Sequence, residues 1–166
     1  MRTLNWRMSH AMFVPDLDDE HKEIFAALAG LQTALAGGGD VHPCAAHLTD
    51  CIVDHFAHEE RLMRAARYGS LKWHKQQHFA ARRRVVEFLG RLEQGDAAAG
   101  TQLVEFLSDW LRGHTRVADR MLGAFLRNQL RAMWKLTYQA GTKAADACEW
   151  IDSRGDKFNP MAKAQD

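Results

Sequence analysis

Six side chains able to bind a metal fall on the apolar stripes of helical segments, and that placement constrains the chain more than anything else in it. His21 lies in the series His21, Ile24, Phe25, Leu28, Leu31 and Leu35. His55 and Glu59 lie in the series Leu48, Cys51, Ile52, His55, Phe56, Glu59, Leu62 and Met63. His74 and His78 share a stripe with Leu71, Val85, Phe88, Leu89 and Leu92, while His114 follows Leu103, Phe106, Leu107, Trp110 and Leu111 and precedes Met121, Leu122 and Phe125. Apolar residues recurring every three to four positions mark amphipathic helices whose stripes face a core. A polar group buried there costs free energy unless it is paired. Any one of the six reads as a satisfied core residue; together they need six separate hydrogen-bonding solutions, or one metal site.

Punctuation between the stripes sets the organisation. Pro15-Asp16 and the acidic Asp18-Asp19-Glu20 suit a helix N-terminus, and Gly37-Gly38-Gly39 ends that helix. Asp40 and Pro43 open a second helix, Tyr68-Gly69-Ser70 breaks it, and Ser70 is an N-cap for the third. Gly95-Asp96 turns the chain into a fourth. Four helices of roughly 20 to 30 residues with short loops predict an all-α, antiparallel up-down-up-down four-helix bundle over 1–128. Residues 129–166 form a C-terminal extension. Leu130, Met133, Trp134 and Tyr138 continue a helical strip, and the Asp152–Asp156 run and Asn159-Pro160 read as loop.

The ligand spacing is that of a metal site. His55 with Glu59, and His74 with His78, are i, i+4 pairs, about 40° apart around a helix and one turn along it. Each pair aims two donors at one place. Imidazoles with carboxylates suit divalent iron, although zinc, copper and nickel also accept imidazole. More than four ligands argues against a single tetrahedral zinc, so two metals are the economical count. Asp119 is the awkward member. Five residues after His114 it falls about 140° away on a regular helix. Either its carboxylate reaches round between two metals, or a local π-type bulge realigns it.

Composition excludes several classes. Lysine plus arginine (22) balances aspartate plus glutamate (21), which gives no electrostatic case for nucleic acid or an anionic membrane surface. Arg82-Arg83-Arg84 reads as a solvated helix face. No apolar run approaches the roughly 20 residues of a membrane span. The opening MRTLNWRMSH lacks the apolar core of a signal peptide, so the expected compartment is the cytoplasm. Cys44 and Cys51, seven apart on one helix, lie about 10 Å from each other and cannot form a disulfide.

The ordered set His21, His55-x3-Glu59, His74-x3-His78 and His114-x4-Asp119 resembles the hemerythrin family, its bacterial members in particular. So do Asp18-Asp-Glu-His21-Lys, His55-Phe56, Glu59-Glu60-Arg-Leu-Met63, Tyr68, and Trp110-Leu111 ahead of His114. The resemblance covers about residues 4–126, with Trp6 matching a tryptophan usual before the first helix. It implies two non-haem irons joined by an oxo or hydroxo bridge. His74, His78 and His114 would hold the coordinatively full iron and His21 and His55 the open one, with Glu59 and Asp119 bridging. The implied function is reversible O2 binding as carrier or store, not enzymatic turnover. An O2 sensor acting through a separate partner and a peroxide-handling enzyme are the alternatives. A ferritin-like oxidase needs Glu-x-x-His pairs and a zinc hydrolase His-Glu-x-x-His; the chain contains neither.

Ile24, Phe25, Phe56, Trp110 and Leu111 are placed to wall the open position, a dry surface that favours a small neutral ligand. Thr115 stands where relatives carry a bulky aliphatic residue. Its hydroxyl either bonds back to the Leu111 carbonyl or faces the open iron, where anchoring a water would hasten autoxidation. His10, His42, His47 and His58 take surface or capping roles, and Glu60 is a helix-surface acid. The extension is expected to pack on the bundle or to pair with a second chain.

Overall fold

The computed structural model describes residues 4–139, 150–151 and 157–158. A 3-10 turn at Met8–His10 precedes four helices, α1 (Pro15–Gly37), α2 (His42–Ala65), α3 (Leu71–Glu93) and α4 (Ala99–His114). A π-helical segment, Thr115–Asp119, joins α4 to α5 (Arg120–Gln139). Two antiparallel two-residue strands, β1 (Trp150–Ile151) and β2 (Lys157–Phe158), pair Trp150 with Phe158. The chain divides into two units, 1–124 and 125–166. The loops expected at Asp152–Asp156 and Asn159-Pro160, Cys148, and the side chain of Tyr138 lie outside the described residues.

Within the first unit α1 packs on α2 and α4, and α3 packs on α2 and α4. Sequential neighbours touch and the first helix closes on the fourth, which is an up-down-up-down antiparallel bundle. Local chemistry sets the ends as expected in most places. Pro15 occupies the first turn of α1, Gly38 ends it at φ 67°, and Gly95 turns the chain after α3 at φ 82°. Asp40 accepts a hydrogen bond from the His42 amide at 3.0 Å, fixing the entry to α2. Ser70 sits at the N-cap of α3 but its side chain caps nothing; its carbonyl takes the His74 amide instead.

The stripes meet in one core of Ile24, Phe25, Leu28, Leu31, Leu48, Ile52, Phe56, Val85, Phe88, Leu103 and Leu107. Each such side chain, once buried, contributes roughly 1.5–3 kcal/mol. The register fails in one place: Met121 was expected inside and is 48% exposed. The π segment is the reason. It adds a residue to the turn, so everything after it lags by one position and the buried series becomes Ala118, Asp119, Leu122 and Leu126.

Topology then gathers the ligands. His21 is near the start of α1, His55 and Glu59 near the end of α2, His74 and His78 near the start of α3, and His114 ends α4. In an antiparallel bundle these four positions share one end. The opposite half is filled by aliphatic and aromatic side chains, among them Leu31, Leu48, Val85, Phe88 and Leu103.

Candidate metal centre

All seven side chains named from the sequence are buried, and Glu59, His74, His78 and Asp119 are entirely without solvent exposure. Their donor atoms form two overlapping groups able to hold metal: Glu59, His74, His78, His114 and Asp119, and His21, His55 and Asp119. Asp119 belongs to both. Its Oδ1 lies 3.2 Å from His74 Nε2 and 3.0 Å from His114 Nε2, while its Oδ2 lies 3.2 Å from His21 Nε2. Glu59 Oε2 is 3.2 Å from His74 Nε2, 3.1 Å from His78 Nε2 and 3.9 Å from His55 Nε2. Two ring nitrogens, those of His78 and His114, approach to 3.2 Å. The π segment supplies this arrangement, since without its extra residue position 119 would point elsewhere. Of the two sequence alternatives for Asp119, the bulge is the one found.

The donor set fits metal ions. Both oxygens of Glu59, both of Asp119, and the Nε2 atoms of His55 and His74 are buried without an aligned hydrogen-bond partner among the described residues. Several stand within 3.2 Å of one another, so they are close but not bonded. Left this way, six desolvated polar atoms would be costly. Ligands adjacent around one octahedral ion with bonds of about 2.1 Å are separated by about 3.0 Å, which is the spacing seen here. Without metal, protons partly compensate. Burial disfavours the charged His74, yet Asp119 and Glu59 beside it push it up to about 9. Burial likewise works against His21, and Asp119 raises it above its usual value. Burial and the neighbouring Asp119 oppose ionisation of Glu59, but the imidazoles of His55, His74 and His78 hold it far below the ordinary carboxylate range. His78 moves the other way, lowered mainly by its own burial.

A second layer of carboxylates orients two of the imidazoles. His55 donates its Nδ1 proton to Glu20 at 2.8 Å, turning the Nε2 lone pair toward the site. Glu20 also accepts from His58 at 2.6 Å; these bonds overcome the effect of burial and keep its carboxyl below its usual value. On the other side His78 Nδ1 reaches Glu60 at 3.4 Å. Glu60 was expected on the helix surface and is buried, because Lys75 (3.0 Å), Arg82 (3.2 Å) and Arg64 (3.7 Å) converge on it. Arg82 is therefore not merely a solvated cation like Arg83 and Arg84, which pair with Glu87.

Sequence reasoning missed Glu20 and Glu60 as orienting groups. The available signal was adjacency, each being next in the chain to a ligand. His42 and His47 are surface residues as expected. His58 is only partly exposed, and His10 is buried, accepting the Arg7 amide at Nδ1 and lying against Phe25.

Around the cluster, Phe56 stacks on His78 with ring centres 3.9 Å apart, and Trp110 stacks on His114 at 4.1 Å. Ile24, Phe25 and Leu111 are buried. Thr115 is fully buried and donates its hydroxyl proton to the Leu111 carbonyl at 2.8 Å, so that proton is already committed.

A helical bundle whose core end carries five imidazoles and two carboxylates defines a non-haem, cation-binding class of protein. The model of the hemerythrin HHE cation binding domain matches residues 12–126. Myohemerythrin-1 of Phascolopsis gouldii is 31% identical over 114 residues, 69% of this chain and 87% of that protein. Hemerythrin of Siphonosoma cumanense is 34% identical over 114 residues, 69% of this chain and 86% of that protein. Bacteriohemerythrin of Pseudomonas aeruginosa is 34% identical over 123 residues, 68% of this chain and 78% of that protein. No solved structure matches the chain significantly. The chain belongs to the hemerythrin family.

Proposed function

We propose that the protein binds O2 reversibly at a non-haem di-iron centre and serves as a carrier or store. The observation that carries this reading is Asp119, whose two oxygens address different imidazole groups. His74, His78 and His114 would hold one iron and His21 and His55 the other, with Glu59 and Asp119 spanning both. With two imidazoles against three, the His21 and His55 metal is left with room for a small ligand. A pair of ferrous ions held by these residues would supply the reversible electron transfer that O2 binding requires.

The chain's own groups do the rest. Glu20 orients His55, Glu60 orients His78, and Asp119 and Glu59 balance the metal charge in a region closed to water. Among the described residues no helix is long and apolar enough to cross a membrane.

Metal analysis and stopped-flow mixing of the ferrous protein with O2, then with peroxide, test the proposal. Two irons per chain with reversible O2 uptake and no peroxide turnover are expected. One metal per chain, or zinc after iron-replete expression, would overturn the site. Sustained peroxide turnover would replace the carrier with an enzyme.

A further inference from the structure

His78 and Arg82 stand one turn apart on α3, and both reach across to the same acid on α2, Glu60. The two oxygens of that carboxylate are divided. Oε2 takes Lys75 at 3.0 Å and Arg64 at 3.7 Å. Oε1 is contested, with His78 Nδ1 at 3.4 Å and Arg82 Nη2 at 3.2 Å. Behind the other half of the centre no such contest arises, since Glu20 gives Oε2 to His55 at 2.8 Å and Oε1 to His58 at 2.6 Å. We propose that Arg82 is a positioning residue for His78: it holds Glu60 back from that imidazole, leaves His78 the weaker electron donor to its metal, and so favours the ferrous state of the pair. The inference rests on the di-iron reading above and adds a control on its redox state.

Geometry fixes the guanidinium in that role. Its carbon lies over the Phe56 ring, 5.9 Å from the centre. Phe56 in turn stacks on His78, with ring centres 3.9 Å apart and planes 3° from parallel. Arg82 therefore addresses both groups that fix the His78 ring, the phenyl on its face and the carboxylate behind its Nδ1. Glu60 is buried, so its charge is shared among the groups that face it and little is dispersed into solvent. An arginine stays charged at any working pH and competes for the oxygen permanently.

The sign of the effect follows from the charge. An acceptor behind a metal-bound imidazole raises its basicity, and a more basic ligand favours the higher metal charge. At 3.4 Å the contact lies beyond the usual hydrogen-bond range, so little of the Glu60 charge reaches His78. Removing Arg82 frees Oε1 for Nδ1, and the contact closes. His78 then donates more strongly, the ferric state gains, and autoxidation becomes easier. In that reaction O2 takes one electron from each of two ferrous ions and two protons from solvent, and leaves as hydrogen peroxide. Arg82 thus opposes loss of the oxygen-binding form.

The test uses the full-length, iron-loaded protein and reads its midpoint potential without O2. Arg82→Gln should favour the ferric form about tenfold, a fall of about 59 mV per electron, and should autoxidise about tenfold faster in air. Arg82→Lys, which keeps a cation within reach of the same oxygen, should recover most of the difference. In a Glu60→Gln background Arg82→Gln should have no further effect, because the acid it restrains is gone. Ferrous iron should be held at least as tightly in Arg82→Gln as in the parent, whereas a loosened fold would release it. A crystal structure of Arg82→Gln should show His78 Nδ1 and Glu60 Oε1 closed to about 2.8 Å. An unchanged potential, a shift that persists at full size in the Glu60→Gln background, or a contact still at 3.4 Å would overturn the proposal. A parent without two irons would overturn the di-iron reading instead, and the contact distance, which needs no particular metal, then decides whether Arg82 restrains Glu60.

Discussion

Glu20 and Glu60 occupy matching places behind the two halves of the centre, yet the structure makes them unequal. Glu20 takes the His55 proton at 2.8 Å and, among the described residues, has only His58 as a second donor. Glu60 meets His78 at 3.4 Å and divides its charge among Lys75, Arg82 and Arg64. Hydrogen bonds to a charged group contribute about 1.5–3 kcal/mol, and the benefit falls steeply as the bond lengthens. Removing an orienting partner of a metal-bound histidine typically lowers metal affinity about 10- to 100-fold. Glu20→Gln keeps an acceptor oxygen but loses the charge, so a loss of about tenfold is expected; Glu20→Ala should approach a hundredfold. Glu60→Gln should change affinity by less than about threefold, because its bond to His78 is already long. His58→Ala is the control, since it leaves Glu20 on His55. Anaerobic competition between the protein and an Fe2+ chelator reads both affinities. Equal losses in Glu20→Gln and Glu60→Gln, or a larger loss in Glu60→Gln, would refute the argument from bond length and charge sharing.

Three further outcomes follow from the site and the extension. Thr115→Val should leave the autoxidation rate within about twofold of the parent, because its hydroxyl bonds the Leu111 carbonyl and the cost is about 1 kcal/mol of stability at most; a clearly slower rate would return the hydroxyl to the ligand pocket. The metal-free protein should lose melting temperature as pH rises from 6.5 to about 9. His74 is raised by its carboxylate neighbours, so its stabilisation is complete below 6.5 and disappears through about 9. The metal-loaded protein should lack that decline, and identical pH profiles for the two forms would contradict the assignment of His74 as a ligand. Truncation after Arg127 should leave iron content intact while lowering stability or abolishing a dimer; unchanged melting and sedimentation would show that the extension has neither role.

Much of this was legible in the sequence because helical periodicity and metal coordination impose the same spacing. His55 with Glu59 and His74 with His78 had to share a stripe, and the structure places them so. The fold followed from the same stripes, with the short Gly37–Gly39 and Gly95 turns leaving only antiparallel neighbours. What stayed hidden depended on departures from regularity or on partners distant in the chain. Met121 was misplaced because one extra residue in a π turn has no composition of its own. Glu60 looked solvent-facing because nothing local announces that Lys75 and Arg82, on the next helix, will neutralise it. Thr115 offered two chemically sound partners, and only the backbone geometry of α4 selects the carbonyl.

The segregation of ligands to one end of the bundle has a consequence for engineering. The α1–α2 connection, 38–41, and the α3–α4 connection, 94–98, both lie at the end opposite the histidines. Gly38, Gly39, Asp40, Gln94 and Gly95 there are exposed. A foreign domain spliced into either loop would be held a bundle's length from the metals, with its linkers leaving from residues that already turn freely. The α2–α3 loop offers less freedom, since its Tyr68 is buried with its ring centre 6.5 Å from that of His74. A fluorescent reporter grafted at Gly38-Gly39 should thus leave the metal site intact, whereas the same graft at Gly69, next to Tyr68, should disturb it.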